Sequence, residues 1–178
     1  MRLFVAIALV PEVITTLERF SRSLRTDNDN LRWTSPDTWH ITLQFLGQIS
    51  NETCECLVHR LHEVNSPRVP IRLHGTGFFD RAGVFFAGID VSPELRQLER
   101  LIVAATSACG IVAEDRPYHP HVTLARARDD ARALRKLKAR VQTEVEFPPF
   151  TAREFLLFES FLGSSGARHE IRHRFPLA

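Results

Sequence analysis

His40-Ile41-Thr42-Leu43 reads as part of a β-strand, and it returns as His121-Val122-Thr123-Leu124. Alternate side chains of a strand share a face, so each copy presents an imidazole and a hydroxyl to one side and two apolar anchors to the other. The copies are 121 − 40 = 81 residues apart, and Phe4 to Phe20 matches Phe85 to Leu101 at the same interval, 85 − 4 = 81, with no gap between the two matches. Phe4/Phe85, Ala6/Ala87, Val10/Val91, Leu17/Leu98, Glu18/Glu99, Arg19/Arg100 and Pro36/Pro117 coincide in this register. The period is too long for a solenoid repeat. It reads as a duplicated half-domain in which 2–47 and 83–128 correspond, each half a strand, a helix, a loop and a strand bearing His-x-Thr-Leu.

The remaining sequence bounds the setting. A chain of 178 residues fits one domain, 1–178, or two small lobes sharing a core. A net charge of +2 is too small to mark a nucleic-acid binder, so any basic footprint must be local. No stretch approaches the ~20 apolar residues of a membrane span. Leu3 to Val10 has the look of a short signal sequence, but Pro11-Glu12 follows at once and the pattern recurs internally at Val84 to Val91, so it reads as a first strand of a cytoplasmic protein. Cys54, Cys56 and Cys109 form no Cys-x-x-Cys spacing and are expected to be buried, reduced thiols.

Taken in order, Arg2 to Val10 predicts a strand, and Pro11 opens a helix with an inward stripe of Val13, Leu17, Phe20 and Leu24. Leu31 to Trp33 and Trp39 to Leu46 predict strands, with Gly47 closing the second. Ser50 or Asn51 caps a helix bearing Cys54, Leu57, Leu61 and Val64, on which His59 and His62 read as solvated side chains. Pro70 to Phe79 and Val84 to Val91 predict two strands joined at Asp80 to Gly83, with Gly75 and Gly77 marking a bulge or a close backbone approach. Pro93 to Cys109 repeats the first helix, His121 to Ala125 the motif strand, and Asp129 to Val141 predicts a fourth helix with a solvated basic face. Arg153 to Ser160 and Arg168 to Phe175 predict a closing hairpin. The alternation implies an α+β fold with antiparallel sheets and helices outside.

Two equivalent histidines in one cleft supply a base and an acid near pH 7, because the unperturbed imidazole pKa is about 6.5. That division of labour suits in-line displacement at phosphorus, with the threonine hydroxyls of each motif donating to non-bridging oxygens. A two-histidine metal site would want an acidic ligand, which neither strand carries. A nucleophilic elbow such as Gly-x-Ser-x-Gly is absent.

The segments Arg2–Ile7 (RLFVAI), Trp39–Gly47 (WHITLQFLG), Arg116–Arg126 (RPYHPHVTLAR) and Gly166–Glu170 (GARHE) resemble, in this order, the 2H phosphoesterase superfamily and within it the RNA 2′,3′-cyclic phosphodiesterases, historically called 2′-5′ RNA ligases. The resemblance implies a bilobal, pseudo-two-fold fold with both motifs in a central cleft. It implies metal- and cofactor-independent opening of a terminal 2′,3′-cyclic phosphate to a 2′-phosphate, reversible toward 2′-5′ ligation. His40 resembles the proton donor to the leaving oxygen and His121 the base that activates water. Thr42 and Thr123 resemble the phosphate-binding hydroxyls, and Arg126 the basic residue that follows the second motif. Arg126 stands at odd spacing from His121, so an ideal strand would turn it away, and it must lie beyond the strand end or past a bulge to reach the phosphate. The expected partners are RNA bearing a cyclic-phosphate end or 2′,3′-cyclic nucleotides, met by a monomer. The competing reading is a nucleotide- or RNA-end-binding module that keeps the clamp but does not turn over.

Overall fold

The computed structural model describes residues 1–128, 132–141, 145–163 and 166–178. In chain order the elements are β1 (Arg2–Ala8), α1 (Pro11–Leu24), β2 (Leu31–Trp33), β3 (His40–Gln48), α2 (Asn51–His62), β4 (Val69–Ile71), β5 (Leu73–Phe79), β6 (Val84–Ile89), α3 (Pro93–Ser107), β7 (His121–Ala127), α4 (Arg132–Arg140), β8 (Phe150–Ala152), β9 (Glu154–Gly163) and β10 (Gly166–Pro176). One sheet has the order β10-β9-β1-β3 and the other β2-β7-β6-β5, antiparallel throughout, while β4 and β8 form a separate pair. The chain is thus α+β, with one His-x-Thr-Leu strand in each large sheet. No described helix is long and apolar enough to cross a membrane.

Local chemistry explains the elements. Strand β1 is apolar from Leu3 to Ala8 because it is an inner strand, buried from Leu3 to Ile7, with only Arg2 at its exposed start charged. Pro11 and Pro93 each stand in the first helical turn of α1 and α3, where no amide donor is needed. Ser50 and Ser92 cap α2 and α3 by accepting from the amides of Thr53 and Leu95. The inward stripes of α1, α3 and α4 join one apolar core that also takes in Ile41, Leu43, Val122 and Leu124. Gly75, at φ 64°, occupies a bulge in the β5–β6 ladder. Gly77 lies beneath the Phe86 ring, where a Cβ would come within 2.4 Å of it.

The strand pairing corrects the gapless repeat. Thr42 and Thr123 are 81 residues apart, yet their partners Ala6 and Phe86 differ by 86 − 6 = 80. A one-residue slip reverses the faces of a strand. Phe4 accordingly packs on the His40 ring, at 4.6 Å between centroids, whereas Phe85 is in the core against Phe20, Trp33 and Phe78.

Other expectations also change. Gly47 does not close β3 but lies within it at φ 81°, opposite Leu3 at a second bulge. The strand expected over 70–79 divides at Arg72 into β4 and β5, and β8 carried no signal beside Pro148-Pro149. The reading of three reduced thiols is overturned: Cys56 and Cys109 form a disulfide, and Cys54 alone is free. Packing of α2 against the end of α3 brings the Cα atoms to 5.9 Å, a juxtaposition that sequence spacing cannot register. Of the expected fourth helix, 129–131 lie outside the described residues, as do Ser164 and Ser165 of the closing turn.

Candidate active site

Both motif strands bury their apolar anchors and leave the polar residues half-exposed on the opposite face. Ile41, Leu43, Val122 and Leu124 are at most 3% exposed, while His40, Thr42, His121 and Thr123 are intermediate. In β3 the ladder skips Leu43, and in β7 it skips Leu124, so the fourth residue of each motif is a bulge. Two consecutive residues then face the core, Leu43-Gln44 and Leu124-Ala125, and the alternation restarts one residue later. Arg126 consequently shares a face with His121 and Thr123, and Phe45 shares one with His40 and Thr42.

Each histidine is held the same way. His40 Nδ1 lies 2.7 Å from the Thr38 carbonyl and His121 Nδ1 lies 2.8 Å from the His119 carbonyl. A carbonyl can only accept, so Nδ1 carries the proton and donates in both rings. Nε2 is left in each ring as the atom that gains or loses a proton.

Burial is the main influence on both titrations. It lowers His40 to about 4, against the opposing pull of the Thr38 carbonyl and with help from the charges of His169 and His121. His121 is also lowered, first by burial and then by His119 and Arg126, with the His119 carbonyl opposing. His40 therefore feels His121, and His121 feels Arg126: the residues expected to cooperate share one electrostatic environment. Burial depresses His169 too, opposed by the Asp37 carboxylate.

The two sheets are pinned together at the motifs. Thr34 Oγ1 donates to the Thr123 carbonyl at 2.7 Å and itself accepts from Trp39 Nε1 at 2.8 Å. Tyr118 donates to the Thr42 carbonyl at 3.2 Å. Each motif threonine thus has its carbonyl bound by a hydroxyl from the segment preceding the other motif.

The sequence alone did not identify these pins, nor the aromatic walls. Phe4, Phe158 and His169 surround His40, with the His169 ring edge-on at 5.2 Å, and Phe45 packs on Phe4. Phe79, Phe86 and His119 surround His121. Phe45 was legible in principle, because it follows His40 at the interval at which Arg126 follows His121. Among the described residues no group of three or more His, Cys, Asp or Glu side chains is placed to share a metal ion. His59 instead approaches Glu63, and His62 packs on Phe175.

A family profile for the 2′-5′ RNA ligase superfamily matches residues 15–160. The chain belongs to this superfamily. A Thermus thermophilus protein named RNA 2′,3′-cyclic phosphodiesterase is 30% identical over 188 residues, spanning 99% of this chain and 90% of its own length. A Geobacillus stearothermophilus protein of the same name is 27% identical over 98% of this chain, which spans 56% of that relative's length. The crystal structure of Escherichia coli LigT complexed with 3′-AMP superposes with a TM-score of 0.83 at 25% identity, covering 99% of this chain and 96% of that one. Membership in the 2′-5′ RNA ligase superfamily accounts for the paired motifs, and the equivalent bulges bring the same three positions of each motif strand to one face of that strand.

Proposed function

We propose that this chain is an RNA 2′,3′-cyclic phosphodiesterase that opens a terminal 2′,3′-cyclic phosphate to a 2′-phosphate. The observation that carries the reading is the matched orientation of the two imidazoles, each with Nδ1 occupied by a backbone carbonyl and Nε2 available to substrate. Neutral His121 takes a proton from water as the water oxygen attacks phosphorus. The bond from phosphorus to the 3′ oxygen breaks, and His40 delivers a proton to that oxygen. Burial keeps His40 neutral at pH 7 until an anionic phosphate supplies the opposite charge that lets it hold a proton. Thr42, Thr123 and Arg126 bind the non-bridging oxygens, and a 5′-hydroxyl of a second strand attacking in place of water would open the same ring to a 2′-5′ linkage, with the proton again passing to His121 and the 3′ oxygen leaving with a proton from His40. The family relationship and the names of the relatives support the same substrate class.

All the groups in this scheme belong to the protein. Hydrolysis of a 2′,3′-cyclic nucleotide should therefore continue in EDTA; complete loss with rescue by a divalent ion would contradict the scheme.

A further inference from the structure

Strand β2 pairs with β7 so that Arg32 stands directly opposite Arg126. Leu31 and Trp33, on either side of Arg32, belong to the core packing, so Arg32 points the other way, to the face that carries Arg126, Thr123 and His121. Both arginines are exposed. Like charges directly opposite across a strand pair oppose folding. Among the described residues neither guanidinium has a carboxylate partner. The arrangement is explained if a ligand brings the missing negative charge.

Position narrows the ligand. The Leu124 bulge puts Arg126 on the same face as Thr123, in the next row of the sheet, roughly 7 Å along the strand. Arg32 lies beside it in that row, toward the edge of the sheet and away from β6. In a nucleotide, C3′, C4′, C5′ and O5′ separate the 3′ oxygen from the 5′ phosphorus, a span of the same scale. Planar guanidinium forks match phosphate oxygens in pairs.

We propose that Arg32 and Arg126 form a second phosphate subsite, which takes the 5′-phosphate of the nucleotide whose cyclic phosphate lies between the two histidines. The proposal rests on the phosphodiesterase reading and narrows it: the preferred substrate is an RNA strand end, whose terminal nucleotide always carries a 5′-phosphate, rather than a free cyclic nucleoside phosphate. Arg126 stands between the two phosphates and Arg32 serves the outer one.

The test compares kcat/KM for adenosine 2′,3′-cyclic phosphate with and without a 5′-phosphate, in the unsubstituted protein and in Arg32→Gln and Arg32→Lys. The unsubstituted protein should prefer the 5′-phosphorylated substrate by about tenfold or more. In Arg32→Gln that ratio should fall toward one, Arg32→Lys should retain part of it, and the salt dependence on the 5′-phosphorylated substrate should flatten. Thermal stability of Arg32→Gln should hold or rise, since a like-charge pair is relieved; a structural arginine would give a fall. No preference in the unsubstituted protein, or an equal loss on both substrates, overturns the subsite. If neither substrate is turned over, the phosphodiesterase reading itself fails, and binding of adenosine 5′-monophosphate against adenosine then decides the subsite: an affinity advantage lost in Arg32→Gln supports it, and no advantage overturns it.

Discussion

The Tyr118 hydroxyl donates to the backbone carbonyl of Thr42 at 3.2 Å, tying the loop that leads into the second motif to the strand that carries the first. Burial pushes the Tyr118 pKa up, so the hydroxyl keeps its proton and remains a donor across the working pH range. Tyr118→Phe should leave the half-buried carbonyl short of a donor, cost about 1–3 kcal/mol of stability and lower kcat more than it raises KM. Thermal unfolding and steady-state kinetics check this; unchanged kcat would mean that the clamp does not depend on the pin.

The depressed histidines make the folded state sensitive to acid. Between about pH 6.5 and 4 the unfolded chain binds a proton at His40 that the folded site refuses. The stability is complete above pH 6.5 and is lost as pH falls through that window. Denaturant midpoints should fall from pH 7 to pH 5, and His40→Gln should reduce the fall. Binding of a phosphate anion at pH 6 should be accompanied by proton uptake, seen as a dependence of calorimetric heats on buffer ionisation enthalpy. Binding with no uptake would remove the reason for a protonated His40 in the complex.

Much of this site was legible in the strand motifs, because alternation alone tells which residues are anchors and which stand on the opposite, half-exposed face. The odd spacing of Arg126 called for either a strand end or a bulge before it; the strand continues to Ala127 and the bulge at Leu124 is what turns the side chain. What escaped the sequence depends on pairing between distant segments. The slip that turns Phe4 toward His40 and Phe85 toward the opposite face is a property of which residue lies opposite Thr42 and Thr123. The Thr34 and Tyr118 pins are likewise set by tertiary docking, and so is the disulfide. Strand β8 escaped because its three residues follow a proline pair and leave too short a pattern.

Gly77 is where the second aromatic wall is most sensitive. A methyl group there would meet the Phe86 ring, which Phe79, His119 and His121 hem in. Gly77→Ala should cost roughly 1–3 kcal/mol, as overpacking does, and lower kcat/KM by displacing the wall beside His121. Normal activity together with normal stability would show that Phe86 has room to move.

The Cys56–Cys109 bridge closes a loop with a sequence separation of 53. Chain entropy limits its contribution to about 4 kcal/mol, and reduction should lower the melting temperature correspondingly. Cys54→Ala should leave the effect of reductant intact, because that thiol is outside the bridge. An identical melting temperature with and without dithiothreitol would mean that the bridge adds nothing to stability.

The most direct measurement is the fate of adenosine 2′,3′-cyclic phosphate incubated with the protein and with its His40→Ala and His121→Ala variants, resolving adenosine 2′-monophosphate from the 3′ isomer. Two-histidine catalysis with departure of the 3′ oxygen predicts the 2′-monophosphate alone, and each variant slower by roughly 10²-fold or more. Binding without turnover, near-normal rates in either variant, or accumulation of the 3′ isomer would contradict it.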